Sequence, residues 1–438
     1  MRQNPGPGCA AGHATQGWIR LGAGRRATIL VFTVTAACAQ GSSRNDLLTS
    51  NDPGASSLGG ASCTVSAVDE VLRWSGRDVY VDPHAVVRTE EGFMIAAGRT
   101  YLWNDSAGVP ISEPDSVLGF FVGSGGARPI ARPRGVDPIG DLRVVRGGAG
   151  RWEWLFEQVE LQGVGDEPVR VLHATLEDDR WSAPDTVVGR GDFDFAFHGS
   201  SRLVGGEAGQ SWLLPGESGV RSEVVEFTRF AGNWRSTPVE SSPPEYVLLA
   251  ADPDLGLRAA IIGPDPAYEQ RRSLRIYASP PTPATEQTVH VGAGGDVFDW
   301  PTLLPGPDGL TLAWVIGSLD GRRTAWAAEG VRPGAPIRTF PLEVEAVQVV
   351  PLVLDDGRSV WIVHHSPDDG VGQELRIYTR SPDGEPTLIG AFEHPYTGYF
   401  GAVAQGGTDF VVVGPDFSPD PTRPTVRSLV KHMRVSCD

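Results

Sequence analysis

Seven copies of one short phrase, about fifty residues apart, constrain this chain more than any other feature. Each copy has an acidic or aromatic cluster, an apolar run, a Gly/Asp turn, a second apolar run that often holds Trp, and two looser runs. One clear copy reads Asp296-Val-Phe-Asp-Trp-Pro-Thr-Leu-Leu, a Pro-Asp-Gly turn, then Leu310-Thr-Leu-Ala-Trp-Val-Ile. Another reads Val347-Gln-Val-Val-Pro-Leu-Val-Leu, Asp355-Asp-Gly, then Ser359-Val-Trp-Ile-Val-His-His. Taking the cluster as marker, copies begin near Asp82, Asp137, Asp192, Glu245, Asp296, Glu345 and Tyr396, at intervals of 55, 55, 53, 51, 49 and 51 residues. Trp181 and Trp234, each in the last run of its copy, keep the same rhythm at 53.

Apolar runs of strand length joined by Asp-Gly signals read as hairpins, because that turn matches the natural twist of paired strands. No stretch carries a 3.6-residue apolar period beyond a few turns, which argues against helices. Four strands per fifty residues, repeated seven times, predict an all-β, seven-bladed β-propeller of four-stranded antiparallel blades over residues 63–438. Six blades plus an N-terminal β-appendage is the alternative. The last copy is short, running from Tyr396 to about Cys437, and residues 64–76, which include Glu70-Val-Leu-Arg-Trp74, precede the first marker. That segment is therefore expected to complete the last blade and remove an exposed sheet edge. Cys63 and Cys437 fall at that seam, and a bond between them would stabilise by on the order of 4–5 kcal/mol in the chain-entropy view.

The N-terminal region reads as an address. Arg20, Arg25 and Arg26 precede an apolar run of about eleven residues ending in small side chains, which is a secretory signal over 1–37 and too short to span a bilayer. Thr35-Ala36-Ala37-Cys38 resembles a bacterial lipobox, with Thr35 where that pattern prefers Leu. The resemblance implies lipidation of Cys38, with 38–62 as a flexible tether rich in Ser, Asn, Asp and Gly. Ordinary cleavage after Ala39 is the other option, giving a released protein. An exported compartment also permits the Cys63–Cys437 bond. The chain carries a formal charge of −17, with 33 basic against 54 acidic groups beyond residue 37, a balance that repels phosphate backbones and excludes nucleic acid as partner.

Asp-Arg-Trp181-Ser-Ala-Pro and Gly-Asn-Trp234-Arg-Ser-Thr-Pro resemble the outer strand of sialidase-like propellers. The Asp-box of that family is met in part by Ser366, Asp368 and Gly370, without the Thr-Trp that should follow, and more loosely by Ser318, Asp320, Thr324 and Trp326. These boxes are structural turns. The activity implied by the resemblance needs three arginines, a Tyr/Glu pair and an acid/base Asp. Tyr396, Tyr399, Glu393 and Asp82 are of the required types, but no full set can be assigned.

In a propeller the links into the innermost strands crowd around one mouth of the channel. The repeat places there Asp82 and His84, Asp137 and Asp141, Asp192 and Asp194, Glu245 and Tyr246, Asp296, Asp299 and Trp300, Glu343 and Glu345, then His394, Tyr396 and Tyr399. Carboxylates beside exposed rings suit sugars and cations, and oxygen-rich acids suit Ca²⁺. Asp is equally an ordinary turn residue that caps its own loop. His364 and His365 are adjacent on a strand and so point to opposite faces. No zinc spacing, nucleophile elbow, phosphate loop or dinucleotide fingerprint occurs. The sequence therefore predicts a monomeric, non-catalytic binding or scaffolding propeller needing no cofactor, with a glycan or surface protein as ligand and a lipid anchor as its membrane contact. A propeller glycoside hydrolase or lyase, using two mouth carboxylates as acid and base, is the rival.

Overall fold

Strand Gly309–Gly317 is buried along almost its whole length because both of its faces are covered. Leu310, Leu312, Trp314 and Ile316 point to one side and join Ala260, Ile262 and Leu274 in one core cluster. Ala313 and Val315 point to the other side and join Trp361, Val363 and Tyr378. Period-two alternation with both faces apolar is what a sheet sandwiched between two other sheets requires. The same division recurs at Phe93, Ile95 and Ala97 against Met94 and Ala96.

The computed structural model describes residues 62–438, apart from 76–78, 105–109, 137–138, 147–149, 162–165, 189–202, 205–210, 219–220, 231–232, 241–245, 253–255, 279–285, 333, 368–371, 382–383, 417–418 and 421–422. The expected signal, Cys38 and the tether up to residue 61 lie outside the described residues. Among those described there is no helix. The strands form seven antiparallel sheets, each with a path of four hydrogen-bonded strands. The first holds Val79–Arg88, Gly92–Asn104, Pro110–Gly123 and Gly126–Ile130. The second holds Ile139–Arg146, Arg151–Leu161, Asp166–Glu177 and Asp185–Val188, with Arg180–Trp181 also on the third strand. The third runs from Leu203–Val204 through Ser211–Ser218 and Arg221–Phe230 to Asn233–Glu240. The fourth is Tyr246–Asp252, Gly256–Asp265, Tyr268–Ala278 and Gln287–Val291. Val297–Gly306, Gly309–Gly317, Arg323–Val331 and Thr339–Val344 make the fifth. Ala346–Val353, Ser359–His365, Glu374–Arg380 and Pro386–Glu393 make the sixth.

The seventh sheet is assembled from both ends of the chain. Gly401–Gly406, Asp409–Pro415 and Arg423–Cys437 are followed by Cys63–Ser75 as its outermost strand. The N-terminal segment pairs along the last strand, from Cys63 opposite Cys437 to Ser75 opposite Val426, and is not a separate appendage. A disulfide joins Cys63 and Cys437. The first strands of the seven sheets touch one another in a closed cycle, the seventh meeting the first. One core cluster packs Phe93, Ile95 and Phe120 of the first sheet on Val403, Val411 and Val430 of the seventh. The architecture is propeller-like.

Antiparallel order gives the ring two distinct ends. Turns between second and third strands, and links from each fourth strand to the next sheet, share the upper rim. Turns between first and second, and between third and fourth strands, share the lower rim. Ion pairs stitch the lower rim across sheets: Arg88 with Asp355, Arg146 with Glu90, Arg128 with Asp179 and Arg338 with Glu385.

Candidate functional site on the upper rim

The third strand of the sixth sheet begins Glu374-Leu-Arg376-Ile-Tyr378, and alternation puts the three polar side chains on one face. That face meets Glu343, at the end of the fifth sheet. Arg376 donates to Glu343 at 2.7 Å and to Glu374 at 2.8 Å, and the Tyr378 hydroxyl also donates to Glu343. Burial alone would raise the Glu343 carboxyl. The bonds from Tyr378 and Arg376 outweigh it and hold the group below its ordinary value. Burial and the Glu343 bond together push the Tyr378 phenol up.

Asp299, on the first strand of the fifth sheet, is held by Arg323 at 2.9 Å, and the same arginine reaches the Val347 carbonyl at 3.3 Å. Asp296 does what turn aspartates commonly do, accepting from the Ala293 amide at 2.7 Å. Asp320 accepts from the Ser318 hydroxyl at 2.6 Å and the Arg322 amide at 3.1 Å, and these two bonds depress its pKa. The second Asp-box echo is therefore a self-locked turn. Glu345 alone joins the fifth sheet to the sixth, and a one-residue link forces it to φ 57°, the left-handed region. Its carboxylate lies 4.0 Å from His365 Nε2.

The two histidines at the end of Ser359–His365 do face opposite ways. His365 reaches toward the Val344 carbonyl (3.2 Å) and Glu345, while His364 stacks on His394 with ring centroids 3.8 Å apart. His394 Nδ1 is 2.7 Å from the Tyr396 carbonyl. Burial, then repulsion from His394, lowers His364 to about 3, and burial lowers His394 as well.

The expected mouth residues separate into groups. Asp296, Asp299, Glu345 and Tyr399 are on the upper rim. Asp82, Asp141, Tyr246 and Trp300 lie on first strands, opposite Gly98, Glu157 and Ile262 in the first three cases, and His84 falls at a register shift; their side chains are outside the described residues. Asp137, Asp192, Asp194 and Glu245 lie wholly outside them. Tyr396 is a correction. Its ring is buried against Phe400 and the backbone of Gly414, and its hydroxyl donates to the Val412 carbonyl at 2.7 Å, so it offers no face to a ligand. An aromatic in a linking loop can fill core as readily as line a channel. Among the described residues no group of three or more His, Cys, Asp or Glu side chains could hold a metal ion.

Apolar side chains at the same rim escaped the sequence reading. Tyr268, Val291, Val297, Leu319, Val344 and Tyr399 are exposed there, six of the eight large exposed apolar side chains among the described residues. The other two, Val68 and Leu388, are on outer strands, and the lower rim has none of the eight. Leu319, inside Gly-Ser-Leu-Asp-Gly, was the available signal: an apolar residue at a hairpin apex, where polar ones are the norm.

No family model matches the chain, and no curated relative matches it in sequence. Similar solved structures include a protein of unknown function from Dyadobacter fermentans, at 12% identity and TM-score 0.42 over 68% of this chain and 94% of that one. The Penicillium chrysogenum alpha-L-arabinanase complexed with arabinobiose has 14% identity and a TM-score of 0.42 over 68% and 92%. A Mycobacterium tuberculosis puromycin-hydrolyzing peptidase has 14% identity and a TM-score of 0.47 over 82% and 55%. No function passes to this chain from likenesses of this degree.

Proposed function

We propose that this chain is an exported, seven-bladed β-propeller, tethered through lipid on Cys38, whose upper rim binds a ligand without chemically converting it. The observation that carries the reading is the asymmetry of the two ends. Exposed apolar side chains gather on the upper rim, where burial on contact gains free energy, and among the described residues the lower rim carries none of them. Seven sheets whose first strands touch in a closed cycle support the blade count. Export is supported by the Cys63–Cys437 bond, which persists in oxidising compartments.

A binding role is supported by the state of the carboxylates. General acids work with raised pKa values. Every described carboxylate with a resolved shift, Asp320, Glu343, Asp355 and Asp356, is instead held low by hydrogen bonds and arginines. Two double variants test the reading, Tyr268→Ser with Leu319→Ser above and Arg88→Ser with Asp355→Ser below, each screened with the parent on arrayed glycans and a random peptide library. Ligands should be lost with the upper variant and kept with the lower. Ligands indifferent to the upper variant, or cleavage of an arrayed glycan, would contradict it.

A further inference from the structure

We propose that the upper rim around Leu319 docks an extended segment of another exported protein, one carrying an aliphatic side chain flanked by arginine or lysine. The inference rests on the upper-rim reading above and names its partner.

Leu319 is 82% exposed, yet its turn is held rigid. The Ser318 amide donates to the Arg322 carbonyl at 2.8 Å, the Gly321 amide donates to the Ser318 carbonyl at 2.9 Å, and Asp320 closes the loop from inside. Beneath it lies Gly295, where an added Cβ would stand 2.7 Å from Leu319 Cδ1, so the leucine rests directly on the preceding link. A solvent-facing leucine fixed this way loses little conformational freedom on binding, the condition under which one apolar contact contributes most. Val297, opposite Gly317, and Val344, opposite Thr324, extend the apolar surface to the two edges of the same sheet end.

Charge selects the flanks. At this end of the fifth and sixth sheets stand Asp296, Asp299, Asp320, Glu343, Glu345 and Glu374 against Arg322, Arg323 and Arg376. The excess of carboxylates suits a cationic partner, and the formal charge of −17 disfavours a second copy of this chain. A sugar would stack on ring faces. Among the described residues the exposed rings, Tyr268 and Tyr399, belong to the fourth sheet and to the link before the seventh, while the exposed apolar side chains of the fifth sheet's upper end, Val297, Leu319 and Val344, are aliphatic.

The test is selection from a random peptide display library on the full mature protein, followed by titration of the enriched peptides against parent, Leu319→Met and Leu319→Ser. Enriched sequences should place an aliphatic residue between basic ones. They should bind at least tenfold more weakly to Leu319→Ser, bind Leu319→Met nearly as well, and weaken with salt. Acidic or absent consensus, or hits confined to a glycan array run in parallel, would overturn this proposal and leave the upper-rim reading standing. Self-association in sedimentation, in place of peptide binding, would overturn it too. Enriched peptides indifferent to Leu319→Ser and to the Tyr268/Leu319 double variant would defeat both.

Discussion

His364 is buried and His394 half-buried in a stacked pair, both are neutral at ordinary pH, and this makes the fold sensitive to acid. A histidine whose pKa is lower folded than unfolded binds its proton more readily in the unfolded chain. Its contribution is therefore complete above about pH 6.5 and declines as pH falls toward the folded value, about 3 for His364. His290 and His432, also lowered by burial, act in the same direction. Thermal unfolding midpoints should thus fall between pH 6.5 and 5, before the depressed carboxylates Asp320 and Glu343 begin to protonate. The limiting slope is ~1.4 kcal/mol per pH unit for each histidine. His364→Phe keeps a ring in the stack without a proton site and should flatten this slope; an unchanged slope would show that other groups set it. Glu343→Gln removes the more enclosed of the two counter-charges on Arg376, leaving Glu374, and should cost about 1–3 kcal/mol. The same substitution should bring the Tyr378 phenol back toward its ordinary range, seen in an ultraviolet pH titration.

The element best read from sequence is the hairpin holding two apolar runs about an Asp-Gly turn. Pro305 to Leu310 shows why: Gly306 faces Gly309, leaving a two-residue turn, and Gly309 sits at φ +124°. Trp314 and Trp361 are fully buried in second strands, and Trp361→Ala should cost about 3–5 kcal/mol in denaturant unfolding. Links between sheets were harder to read, because one residue, Glu345, makes the turn that Gly292–Asp296 makes elsewhere. No propensity rule marks a glutamate for left-handed backbone. Strain of this kind costs roughly 1–2 kcal/mol. Glu345→Gly should therefore raise the unfolding midpoint while weakening binding of basic peptides on the rim. A lowered midpoint would mean that the carboxylate contact with His365 outweighs the strain.

At the scale of the molecule, periodicity revealed the sheets, and cysteine position revealed the seam, because both depend on spacing alone. The site was legible only in part. Position put Asp299 and Glu345 on the rim, yet position cannot tell Tyr396, turned into the core, from Tyr399, turned out. Ion partners such as Arg323 and Arg376 come from third strands, one two strands away in the same sheet and one in the next sheet, a pairing that the fold sets and local sequence does not show. Joining the chain's two ends in one sheet gives the Cys63–Cys437 bond its leverage, since it closes a loop of 374 residues. Replacing both cysteines by serine should lower stability by about 2–5 kcal/mol while leaving the other six sheets intact. The closed ring is tested most directly by peptide mapping of the non-reduced mature protein by mass spectrometry. The structure predicts one linked pair, the peptide holding Cys63 bonded to the peptide holding Cys437, lighter by two hydrogens than the separate thiols. Recovery of both cysteines as free, alkylated thiols from protein never exposed to reductant would contradict it.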